Sequence, residues 1–120
     1  MRLRALRGAV TVDRNEAEAI LEGTEELLRA VMDRNDLGAD DLVSCIFTCT
    51  PDLDAEFPAV AARRLGLDAV PLICAREIAV PDALPRVIRL MVHAEMGSRP
   101  SNHVYLRDAR ELRRDLEAAQ

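Results

Sequence analysis

Residues 42–49, LVSCIFTC, are apolar on both sides of an extended chain. Asp40-Asp41 and Thr50-Pro51-Asp52 bound the run, which is short for a helix and suited to a buried strand. As a strand it puts Val43, Cys45, Phe47 and Cys49 on one side and Leu42, Ser44, Ile46 and Thr48 on the other. Neither side suits water. A chain with such a strand must cover both faces of its sheet, and this restricts the fold more than any other feature.

The flanking sequence supplies cover for one face. Residues 2–12 read as a first strand. Ile20, Leu21, Thr24, Leu27, Leu28, Val31 and Met32 then share one helical face, with Asn15 and Glu18 as a cap pair and 35–38 as the stop. Phe57-Pro58 opens a second helix that Gly66 ends. Residues 69–74, 86–96 and 103–106 read as three more strands, and a charged tail runs from Ala109 to Gln120. The order β, α, β, α, β, β, β predicts one α/β domain over 1–120, with two helices on one sheet face. A monomer of 120 residues has no element left for the other face, so further copies of the chain are expected to cover it.

In the strand at 86–96, Ile88, Leu90, Val92, Ala94 and Met96 share the side that fits under the helices. Arg89 falls on the opposite side with Val87, Met91, His93 and Glu95. A guanidinium in a covered face needs an anion, because burying it unpaired is prohibitive. Glu77 is one candidate, and a structural ion pair is the simplest account. One carboxylate does not neutralise Arg7, Arg63 and Arg113 as well, if these converge. A cluster of arginines in an acidic chain, net charge -5, is better matched by an anionic ligand.

Composition narrows the class. The negative net charge, one Tyr, two Phe and no Trp argue against a nucleic-acid binder. Three cysteines in apolar surroundings indicate free thiols in a reducing cytoplasm. No apolar run reaches membrane-span length, and the basic N-terminus lacks a signal-peptide core. His93 and His103 show no metal-ligand spacing, and Cys45 and Cys49 read as packing residues.

The blocks RGAVTV (7–12), TPDLDAEFPAVAAR (50–63), VPLICAREIAV (70–80), IRLMV (88–92), HVYL (103–106) and LRRDL (112–116), in this order and spacing, resemble the monofunctional trimeric chorismate mutases. The resemblance implies a homotrimeric pseudo-α/β-barrel with active sites between subunits. It also implies the rearrangement of chorismate to prephenate without cofactor or metal. By the same resemblance Arg89 faces the ether oxygen and Arg7 holds a carboxylate. Glu77 takes the ring hydroxyl and orients Arg89, Cys74 joins that polar network, and Tyr105 donates to the side-chain carboxylate. Phe57, Ala59, Arg63 and Ile73 line the cleft from a neighbouring subunit, and Leu112 and Arg113 lie in a tail that closes over the ligand. The sequence departs from the family pattern at Val60, where many members have lysine, and at Ile73 and Arg114. Looser substrate binding is the expected result. A noncatalytic trimer that binds an aromatic carboxylate, or a similarly built enzyme acting on imino acids, are the alternatives.

Overall fold

The computed structural model describes residues 2–113. Along the chain run β1 (Leu3–Thr11), α1 (Ala17–Arg34), β2 (Leu42–Cys49), α2 (Ala59–Arg64), β3 (Leu72–Arg76), β4 (Val87–Glu95) and β5 (Val104–Leu106). Single 3-10 turns occupy Ala39–Asp41 and Arg107–Ala109. The strands form one mixed sheet in the order β3-β2-β4-β1-β5. β4, at its centre, runs antiparallel to β1 and β2, whereas β5 and β3 add in parallel at the two edges.

The helices cover one face. α1 buries Ile20, Leu21, Thr24, Leu27, Leu28 and Val31, the stripe its periodicity predicts. Of these, Ile20, Leu27, Leu28 and Val31 meet Leu6 and Val10 of β1, Phe47 of β2, and Ile88, Leu90 and Val92 of β4 in one core. Gly23 permits the close approach of α1 to the sheet, since a Cβ there would stand 2.5 Å from Val12 Cγ1.

Four local features differ from expectation. Asn15 does not cap α1: Glu16 is the N-cap, without a side-chain cap bond. Asn15 Oδ1 instead accepts from the amides of Asp54 and Ala55, both at 3.0 Å, tying the loop before α2 to the start of α1. The third strand forms at Leu72–Arg76 rather than 69–74, because Val70 belongs to a turn whose amide donates to Leu67 O. In β2 the pairing slips between Leu42, opposite Ala94, and Ser44, opposite His93. This bulge sends Leu42 into the core and leaves Val43 exposed, reversing the side expected for each.

The fourth difference concerns the second face. The chain covers one end of it unaided: Ala9, Val87 and Ala109 are buried there, with Leu84, Tyr105 and Leu112 packed against them. Arg107 anchors this return, donating to Thr11 O at 3.0 Å and to Glu26 at 2.6 Å. The rest stays open, exposing Leu3, Ile46, Ile73 and Met91. Arg114 and the remainder of the expected tail lie outside the described residues. Among the described residues no helix is long and apolar enough to cross a membrane.

Candidate active site

Strand alternation sets out the site on the open face. Arg89 of β4 lies opposite Ala9 of β1 on one side and Thr48 of β2 on the other. Arg7, opposite Met91, is therefore diagonal to Arg89, a placement that brings side chains about 7–8 Å apart at the backbone. Tyr105 enters from β5 through its pairing with Ala9. Together with Ile46, Thr48, Met91 and Leu112 these residues line a cavity of about 540 Å³. Two guanidiniums thus flank a largely apolar hollow at the middle of the sheet.

A carboxylate completes the group. Glu77 follows β3, and its amide donates to Cys49 O at 2.9 Å, prolonging the β2–β3 pairing by one residue. Its Oε1 accepts from Arg89 Nε at 3.0 Å and its Oε2 from Thr48 Oγ1 at 2.8 Å. The Glu77 side chain is 16% exposed and that of Arg89 44%. Within one chain the arginine charge is therefore only partly buried, on the face that the sequence leaves for further copies of the chain to cover. Glu77 engages only Nε, so the terminal amino groups, the bidentate part of the fork, remain for a ligand.

Thr48 escapes the sequence reading. The signal available was a pair of hydroxyl residues, Ser44 and Thr48, recurring on one side of an otherwise apolar strand. Ser44 meets His93 Nδ1 at 3.1 Å, away from the cavity.

Not every expected residue converges on this hollow. Cys74 pairs in register with Phe47 of the core, while Ala75 pairs with Thr48. Cys74 thus faces the helix side, and within one chain it does not join Arg89 and Glu77. It lines a second cavity of about 360 Å³ with Cys49, Leu53, Phe57 and Pro58. Phe57 is 68% exposed and Ile73 62%, and Arg63 is an exposed residue of α2. Ala59 is buried in the core, so its side chain offers no surface to a ligand. The expected set divides into two groups: Arg7, Glu77, Arg89, Tyr105 and Leu112 in one place, Phe57 and Cys74 in another. Burial, then the neighbouring Cys74, pushes the Cys45 and Cys49 thiols up to about 12, so both stay protonated packing groups. Among the described residues no group of three or more His, Cys, Asp or Glu could hold a metal.

His103 supports Arg7 from behind. Its Nδ1 accepts the Arg7 backbone N–H at 3.0 Å, which requires the neutral ring with its proton on Nε2. Burial, then the charges of Arg7 and Arg113, holds its pKa below the ordinary 6.5. The folded state thus favours the neutral ring. The contribution is complete above the ordinary value and is lost as pH falls through the lowered one. An NMR titration should show the Arg7 amide moving with a midpoint below 6.5, and His103→Phe should abolish that step.

The sequence family described as chorismate mutase type I matches residues 3–116. Chorismate mutase AroH of Thermus thermophilus is 46% identical over 121 residues, covering 98% of this chain and 99% of the relative. Chorismate mutase AroH of Bacillus subtilis is 40% identical over 119 residues, covering 97% and 94%. A solved chorismate mutase from Clostridium thermocellum superposes with a TM-score of 0.88 at 44% identity, covering 90% of this chain and 98% of that one.

Proposed function

The chain belongs to the chorismate mutase type I family, and from that premise we propose that its open sheet face is one wall of a composite active site completed by a second copy. The protein is a chorismate mutase, an isomerase whose substrate is chorismate. The reaction is an intramolecular rearrangement to prephenate. One ether C–O bond breaks as one C–C bond forms, so no proton, electron or group passes to the enzyme.

The reading rests chiefly on two arginines beside one apolar hollow with a single carboxylate bonded to one of them. Like charges diagonal across two strands repel, and a dicarboxylate between them relieves the repulsion. In this reading Arg7 and Tyr105 hold the carboxylate that lies over β1 and β5, and so favour the folded conformer that reacts. Glu77 accepts the ring hydroxyl. Arg89 faces the ether oxygen, whose negative charge grows as the C–O bond lengthens ahead of C–C closure. A cation fixed there gains more from the transition state than from the substrate, so it lowers the barrier.

Phe57, Cys74 and Arg63 form the opposing wall, contributed by a neighbouring chain in a homotrimer, with Ala59 buried behind it, while Ile73 lies on the open face beside Ile46 at the contact between chains. The exposed Leu3, Ile46, Ile73 and Met91 support this assembly, since apolar side chains grouped on one open face mark a contact between chains. Leu112 and Arg113 close the ligand's exit. Three free thiols fit a cytoplasmic setting.

Purified protein should consume chorismate, read as loss of its diene absorbance, and sediment at three times the chain mass. Intact trimers without turnover would leave only a binding protein for aromatic carboxylates. A monomer with full turnover would end the shared-site reading.

A further inference from the structure

Glu77 is held at three points. Its backbone is fixed by Cys49 O, one carboxylate oxygen by Arg89 Nε and the other by the Thr48 hydroxyl. The last two grips are not independent, because Thr48 and Arg89 are register partners across β2 and β4. One cross-strand pair in the middle of the sheet therefore holds both oxygens of one carboxylate. The terminal torsion of a glutamate is broad, with no staggered well to define the plane of its oxygens. Arg89 alone, bonded through Nε to a single oxygen, leaves that plane free to turn.

Resting on the reading of this site as a chorismate mutase centre, we propose that Thr48 is a positioning residue whose hydroxyl locks the Glu77 carboxylate and, through it, the guanidinium of Arg89. An ionised carboxylate has about four lone-pair positions. Thr48 and Arg89 occupy one on each oxygen, which leaves a fixed remainder for the substrate hydroxyl. The Thr48 hydroxyl has one proton, and against an acceptor-only carboxylate that proton lies toward Glu77. The side chain also lines the 540 Å³ cavity, so it acts at the cavity wall rather than from a distance. Its methyl group, by contrast, has no part in the grip on Glu77.

Thr48→Val keeps shape and β-branching and removes only the hydroxyl, while Thr48→Ser keeps the hydroxyl and removes the methyl group. A hydrogen bond to a charged group that sets orientation predicts that Thr48→Val lowers kcat about tenfold with KM within about twofold. Thr48→Ser should stay within about twofold of the parent in kcat. Added to Glu77→Ala, Thr48→Val should have almost no further effect, since the group it orients is gone. Should Thr48→Val fold poorly, Thr48→Ala carries the same measurement.

Wild-type kcat in Thr48→Val, with Glu77→Ala impaired, overturns the proposal. So does a Thr48→Ser enzyme as slow as Thr48→Val, which assigns the effect to packing, or an undiminished effect in the Glu77→Ala background. If Glu77→Ala itself turns over like the parent, the site assignment fails first and the role of Thr48 falls with it.

Discussion

Arg89→Lys is expected to lower kcat by about 100- to 1,000-fold, the cost of removing one well-placed donor to a developing oxyanion. Lysine keeps the charge and loses the geometry. It has no Nε–H to give Glu77, so the bond at 3.0 Å has no replacement at that position. Its ammonium is a point charge on a flexible stem, free to sit against Glu77 rather than at the ether oxygen. Folding of the chain should be little affected, because the Arg89 side chain is 44% exposed within one chain and the lysine ammonium can still pair with Glu77. Steady-state kinetics beside a thermal unfolding curve tests both halves. A rate near that of the parent would remove Arg89 from the mechanism, and a large fall in thermal midpoint would make its role structural.

The second large effect is a recovery. Arg89→Ala removes the cation of one wall, and Phe57→Asp sets a carboxylate in the opposing wall, where it repels a dianionic substrate. Each variant alone should be nearly inactive. In mixed trimers the two lesions are sorted between walls, so some sites receive one intact wall from each kind of chain. Random mixing of equal amounts leaves about a quarter of all sites intact, from half the walls of each kind being sound. Co-expression of the two variants should therefore restore activity to that order, measured against each variant alone. No recovery, with mixed trimers verified by mass, would place both residues in one chain's site.

The layer architecture was legible because apolar periodicity is dictated by burial, and burial is what α1 and β4 do over their whole length. The alternation that set Arg89 apart from Ile88 and Leu90 is the same one the sheet displays. Local exceptions were not legible. The bulge in β2 inserts one residue into a period of two, and nothing in the composition of LVSCIFTC marks Val43 as the residue left out. Asn15 has the chemistry of a helix cap and spends it on the amides of Asp54 and Ala55, a choice settled by tertiary contact. Val70 has the apolarity of a strand residue and is buried in a turn.

The site was legible in kind more than in grouping. Arginines with one acidic companion announce an anion, and the resemblance named which arginines. Spacing along a chain does not say on which side of the sheet Cys74 emerges. Its register with Phe47 does, and this separates it from Glu77 only three residues later. Thr48 was hidden because a threonine in a strand is ordinary, and only its contact with Glu77 distinguishes it.

Cys74 and the Thr48–Glu77–Arg89 group emerge from opposite sides of one sheet, a barrier of hydrogen-bonded backbone that no hinge within a single chain can fold through. On the proposed shared site, catalytic competence then becomes a matter of concentration. Diluted far enough, each molecule would keep its architecture intact and fall silent, and specific activity would rise with the amount of enzyme present until every wall had found its counterpart.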